Sequence, residues 1–319
     1  MELQRSRWVC RKLGDNKALR GFGTAGSFKV TKFRLNALLD SGPIRIAFQS
    51  RDCAKRVQMS TISRQIEING EQIAYWTLGH EAAERQIVWA HGWGQDHRAF
   101  EQIAGTWAAN AYNILIDFPG FGGSPRPNAE WGTADYADAC AGLLESLPNG
   151  HRIWVGHSFG CRVGIQLAAR HAEVIDALFL VAAAGLPRRR SGLSQFRVKS
   201  KIALYKSLRA LPFGNKDRLL ERFGSADYKA AGDMRTILTK VVNEALSTQA
   251  QEISLPAKLV YGSQDDETPP EIGKRLAQLI PNGLFVQLDG LDHYSILNEG
   301  RHQTAFQLKQ FIDGLGEPA

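Results

Sequence analysis

Residues 152–162 read RIWVGHSFGCR, a serine between two glycines at the end of an apolar run. Arg152, Ile153, Trp154 and Val155 have the β-branched and aromatic make-up of a central strand. The residues after Ser158, with Val163, Ile165, Leu167 and Ala168, are spaced as a helix. Ser158 therefore stands at a strand-to-helix turn. Gly156 and Gly160 carry no Cβ and allow the two elements to approach closely there, which holds the hydroxyl out where a substrate can meet it. Taken alone, G-x-S-x-G also describes a turn of small residues, so its surroundings must decide.

Upstream, Gln65–Ile68 and Ile73–Leu78 are two short strands separated by NGEQ, with Asn69-Gly70 at the head of the turn. A fully apolar strand from Gln86 to Ala90, a helix over about 97–109, a strand from Tyr112 to Ile116 and a helix over about 133–147 lead to the serine strand. Downstream, a helix over 159–171 is followed by a strand from Ile175 to Val181. After Gly185 the rhythm stops, and residues 186–250 are helical, basic text without a strand. Alternation resumes with Lys258–Tyr261, a helix near 271–280, Leu284–Leu288 and a closing helix near 301–313. A hairpin followed by strand–helix alternation predicts an α/β fold, a mostly parallel sheet with helices on both faces and ligands beyond the carboxyl ends of the strands. Residues 186–250 are then an insertion, a cap over the site.

The 319 residues, 44% hydrophobic, suit one large soluble domain. The longest apolar run, Ala177 to Leu186, is too short to cross a bilayer and too far along the chain for a signal peptide. Cys10, Cys53, Cys140 and Cys161 show no C-x-x-C and no metal-like pairing with histidine, which predicts a reducing, cytoplasmic setting, no metal, and a buried packing role for Cys161. The net charge of +7 is unevenly placed. Residues 1–58 hold 13 Lys and Arg against 4 Asp and Glu, so the rest is slightly acidic and no nucleic-acid partner is implied. That leader is Gly-rich and short of apolar faces, which predicts poor order. The domain is expected to begin at Met59. Either a start placed too far upstream or an organelle transit segment explains the leader.

Four stretches mark strand ends: HGWGQD at 91–96, DFPGFGGS at 117–124, YGSQDDETP at 261–269 and GLDHYSILNEG at 290–300. A serine hydroxyl needs a base to take its proton and an acid residue to orient that base. Ser158, Asp265 and His293 supply these, with Asp266 as the alternative acid. A tetrahedral oxyanion needs preorganised donors, for which the backbone N–H groups of Phe159 and Trp93 are candidates. Trp93, Phe121 and Phe159 are candidate acyl-pocket residues. His157 is expected to be a turn residue, His91 a loop anchor and Asp117 a loop brace. His97, His151 and His171 are assigned surface or capping roles.

In order and spacing, H-G-W-G, D-x-P-G-x-G-x-S, G-H-S-x-G, G-x-x-D-x-x-x-P and a late histidine resemble the α/β-hydrolase superfamily over nearly all of residues 64–313. Within it the chain is most similar to cap-bearing esterases, such as the pimeloyl-acyl-carrier-protein methyl ester esterases, and to the meta-cleavage-product hydrolases. The resemblance implies an acyl-serine mechanism on a carboxylic ester or thioester, a cap-covered pocket and no cofactor. Its G-x-x-D spacing from Gly262 selects Asp265. Two alternatives stay open: a C–C bond hydrolase or haloperoxidase-like enzyme on the same triad, and a receptor-like binder with slow turnover. Residues 186–250 hold 14 Lys and Arg against 5 Asp and Glu, which fits either an anionic or carrier-protein-linked substrate or a solvated face.

Overall fold

The computed structural model describes residues 61–189 and 226–316, with positions 200, 203, 204 and 207 between them. All of these fall in one unit, Val57–Ala319. The basic leader and most of the Arg-rich part of the insertion lie outside the described residues.

Eight strands form one sheet: β1 (Ile62–Ile68), β2 (Glu71–Leu78), β3 (Arg85–Ala90), β4 (Tyr112–Ile116), β5 (His151–His157), β6 (Ala177–Val181), β7 (Ala257–Gly262) and β8 (Gly283–Leu288). Their spatial order is β1-β2-β4-β3-β5-β6-β7-β8. The β1–β2 and β2–β4 pairs are antiparallel and every other pair is parallel. The fold is that of an α/β sheet, as the alternation predicts. β1 starts earlier than Gln65, and the turn after it needs only Asn69 and Gly70, both at positive φ (54° and 82°). Glu71 and Gln72 therefore join β2, because a two-residue turn of that hand matches the strand twist.

Neighbouring residues of the central strands face opposite cores. In β3, Val88 and Ala90 join one apolar cluster while Ile87 and Trp89 join the other; in β5, Trp154 joins the first while Ile153 and Val155 join the second. Helices α2 (Thr133–Glu145) and α3 (Phe159–Arg170) cover the first face through Tyr136, Leu143, Val163 and Leu167. Helix α1 (Arg98–Gly105) and the C-terminal helix (Arg301–Gly314) cover the second through Phe100, Ile103, Leu308 and Phe311. Burial on both faces is why β6 reads as an unbroken apolar run; β4 and β7 are buried throughout as well, each with one polar residue, Asn113 and Lys258.

Two boundaries differ from expectation. The helix expected over 97–109 stops at Gly105, and residues 106–111 turn on short bonds such as Trp107 N–H to Ala104 O (2.9 Å). The strand expected from Ile175 begins at Ala177, after a 3-10 turn, Ala172–Val174. The insertion closes on itself where the Leu246 N–H donates to Gly185 O at 2.7 Å. Its described C-terminal part holds α4 (Ala226–Ala230), α5 (Arg235–Asn243) and α6 (Ser247–Glu252). The last of these overruns the expected end at 250, since Ala250 and Ile253 are fully buried in the first core.

Candidate active site

Ser158 is the junction between β5 and α3, with φ 47° and ψ −101°, a conformation unfavourable for a side chain with Cβ. The turn is tight enough that a Cβ on Gly156 would lie 2.7 Å from the Gly160 carbonyl carbon, and one on Gly160 would run into the Ala90 carbonyl oxygen. The Trp154 indole N–H donates to Gly160 O at 3.0 Å, and the Ser158 N–H to Val181 O at 3.0 Å. These contacts hold the strained elbow from β5 itself and from the neighbouring β6.

Asp265 follows β7 and His293 follows β8, so the parallel order of β5 to β8 brings three distant segments to one end of the sheet. His293 Nε2 lies 3.0 Å from Ser158 Oγ, and Nδ1 lies 2.8 Å from Asp265 Oδ2. A carboxylate can only accept, so Nδ1 carries the proton and Nε2 faces the serine hydroxyl as an acceptor. Asp265 is held in turn. Its Oδ1 accepts from the N–H groups of Glu267 (2.9 Å) and Thr268 (2.7 Å), and the Thr268 hydroxyl lies 2.9 Å from Oδ2. Asp266 is exposed, and Arg188 donates to its backbone carbonyl at 2.8 Å, so the geometry favours Asp265 of the adjacent pair.

The loop after β3 carries Trp93. His91 Nδ1 donates to Gly92 O at 2.7 Å while its Nε2 accepts from the Phe118 N–H at 3.1 Å, and burial pulls this imidazole down to about 4. Asp117 accepts from the N–H groups of His97 (2.6 Å) and Gly123 (2.7 Å), which ties the loops after β3 and β4 together. His97 is thus part of that brace, stacked on Trp76 at 3.6 Å. His171 instead meets Asp138 at 2.7 Å, and His151 lies 3.6 Å from Asp176. Cys161 is fully buried and burial raises its thiol well above the ordinary value.

A cleft of about 250 Å³ is lined by Trp93, Ser158, Phe159 and His293 and, from the insertion, by Asp227, Leu238 and Val241. Phe121 is not among its lining residues. It packs edge-on against Trp93 (4.8 Å) and His91 (5.6 Å), which corrects its expected role to that of a support behind the wall.

Four lining or flanking residues are new to the sequence reading. Glu267 Oε2 lies 3.6 Å from His293 Nε2, and the Tyr294 hydroxyl lies 3.4 Å from the same oxygen. Burial first, and Glu267 second, push the Tyr294 phenol up to about 12. Thr268 was detectable as the third residue after an Asp, a local capping pattern. Arg162 gave no signal, because an arginine in helical text reads as solvent-facing. Among the described residues, no group of three His, Cys, Asp or Glu side chains is arranged to hold a metal ion, and no helix is long and apolar enough to cross a membrane.

Residues 87–305 match the model of the alpha/beta hydrolase family. The chain belongs to that family. As an alpha/beta hydrolase it is similar to a pimeloyl-[acyl-carrier protein] methyl ester esterase of Chromobacterium violaceum, at 27% identity over 234 residues, 66% of this chain and 88% of that protein. It is also similar to a 2-(acetamidomethylene)succinate hydrolase of Mesorhizobium japonicum, at 22% identity over 270 residues, 79% of this chain and 95% of that protein. The enol-lactonase of Burkholderia xenovorans LB400 shares the hydrolase fold at a TM-score of 0.60 and 20% identity, covering 78% of this chain and all of that one.

Proposed function

We propose that this alpha/beta hydrolase is a serine esterase that cleaves small carboxylic esters through an acyl-serine intermediate. The observation that carries the reading is the unbroken relay from Ser158 Oγ to His293 Nε2 (3.0 Å) and from Nδ1 to Asp265 (2.8 Å) beside a cleft with both apolar and charged walls. In this reading His293 Nε2 removes the serine proton as Oγ attacks the ester carbonyl. The oxyanion forms against the N–H groups of Phe159 and Trp93. The imidazolium, stabilised by Asp265, then returns its proton to the leaving alkoxide, so an alcohol departs and the acyl group stays on Oγ. Water repeats the sequence and releases the acid. A carrier-linked ester is the finer possibility that the pimeloyl-[acyl-carrier protein] methyl ester esterases support.

Labelling with a fluorophosphonate tests the reading. Wild type is expected to be labelled on Ser158 and to hydrolyse p-nitrophenyl acetate, and Ser158→Ala to lose both while staying folded. Labelling that persists in Ser158→Ala removes the nucleophile assignment.

A further inference from the structure

Arg162 lies one helical turn beyond Ser158 on α3, about 6 Å along the axis by the α-helical rise. Residues four apart share a face, and helical side chains lean toward the N-terminus, so the guanidinium leans toward the serine end. It lines the same cleft as Ser158 and His293. Arg162 is only 8% exposed.

Its charge is offset only in part: burial works against the guanidinium, and the field of the nearby Glu244 carboxylate opposes that loss without direct contact. Among the described residues, its one hydrogen bond runs from Nη1 to the backbone carbonyl of Glu244, at 3.0 Å. The Glu244 carboxylate is engaged elsewhere, accepting from the N–H of Thr133 at 3.2 Å and from the Thr133 hydroxyl. No carboxylate among the described residues is in ion-pair contact with Arg162. A guanidinium has five donors, and burying one without a counter-ion is costly unless something repays the desolvation. The lining of the cleft also includes Leu186, Leu238, Val241 and Ile272, which offer no hydrogen-bonding side chain, beside the polar Arg188, Asp227, Glu267 and Thr268. A planar oxyanion placed there would meet a forked, charge-assisted donor.

We propose that Arg162 is the carboxylate-binding residue of the substrate pocket, so that the preferred substrates are half-esters carrying a free carboxylate a few bonds from the scissile carbonyl. The proposal rests on the reading of Ser158 as nucleophile and deepens it. Glu267, 3.6 Å from His293 Nε2, repels a second carboxylate from the region of the base. Asp227, also in the lining, adds to that repulsion, and the second cation of the lining, Arg188, is exposed and already donates to the Asp266 carbonyl, so the free acid is directed to Arg162 with the ester at Ser158.

The test compares kcat/KM for monomethyl esters of C4 to C6 dicarboxylic acids with methyl esters of monocarboxylic acids of the same length. Wild type is expected to prefer the half-esters at least tenfold. Arg162→Met is expected to lower that preference at least tenfold, and Arg162→Lys, which keeps the charge without the fork, to fall between. In parallel, glutarate binding to wild type and to both variants is measured by calorimetry, with melting curves as the fold check. A tenfold weaker dissociation constant in Arg162→Met supports the proposal. Equal losses on both ester series with unchanged glutarate affinity overturn it and leave Arg162 as a tie to the Glu244 carbonyl. If wild type takes no fluorophosphonate and turns over neither series, the esterase reading falls, and the glutarate arm still decides Arg162.

Discussion

The imidazole of His157, next to Ser158 in sequence, donates from Nε2 to the backbone carbonyl oxygen of His293 at 2.9 Å. One bond thus couples the end of β5 to the loop after β8. The ring is fully enclosed, and burial pulls its titration down to about 3, so at neutral pH it is an uncharged tie and not a second base. Its Nδ1 lies 3.1 Å from Gln95 Oε1, and that amide oxygen accepts from the Gly92 N–H (2.8 Å). Three loops therefore meet at His157.

Removing that tie is expected to misplace the base. His157→Leu leaves a buried carbonyl unpaired, at about 1–3 kcal/mol of stability, and is expected to lower kcat about tenfold with little change in KM, since the interaction matters most as the imidazolium forms. Urea denaturation and steady-state kinetics read the two effects separately. A stability loss with unchanged kcat would make the bond structural only.

The strained serine predicts a second, opposite effect on stability. With φ at 47°, Ser158 sits where a residue with Cβ is penalised by about 1–2 kcal/mol relative to glycine. Ser158→Gly is expected to be inactive yet to melt a few degrees above Ser158→Ala. Calorimetry on the two variants checks this, and the reverse order would mean that the elbow carries no strain.

The paired carboxylates separate by burial. Asp265 is 2% exposed and accepts from His293, whereas the Asp266 side chain is exposed. Asp265→Asn is expected to favour the wrong tautomer of His293 and to cost up to about 10⁴ in kcat, as in other triads. Asp266→Asn is expected to stay within about twofold, within the small effects usual for exposed sites. Kinetics on both variants decides between them.

The elbow, the acid and the base were legible because each stands at a strand end flanked by glycine or aspartate in a spacing that the chemistry demands. The hairpin was legible from Asn69-Gly70, though its length was not, because strand pairing and not propensity recruits Glu71 and Gln72. Strand order was hidden: nothing in the text from 85 to 116 says that β4 lies between β2 and β3. Phe121 was placed in the pocket because an aromatic residue after a strand end carries no mark of which ring stands in front. Arg162 was hidden for the opposite reason. Its burial depends on Glu244, 82 residues away, a distance no local periodicity reports.

Acid stability follows from His91 and His157. An unfolded histidine titrates near 6.5, whereas burial lowers His91 to about 4 and His157 to about 3. Between these values the unfolded chain binds more protons than the native one, so stability is fully present above about 6.5 and is lost as pH falls toward 4. Each such ring contributes a slope of about 1.4 kcal/mol per pH unit. His91→Asn is expected to remove about one proton from that slope between pH 6 and 4.5, read by urea denaturation at a series of pH values. An unchanged slope would mean that His91 is protonated in the folded state.

The acyl-serine itself is the most direct object to measure. Wild-type protein mixed with excess p-nitrophenyl acetate, quenched in acid within milliseconds and digested, should show a mass gain of one acetyl group on the peptide containing Ser158, with a burst of nitrophenol matching the enzyme concentration. Turnover with no acylated Ser158 peptide and no burst, also with the bulky p-nitrophenyl pivalate, whose acyl-enzyme is hydrolysed slowly, would contradict the account.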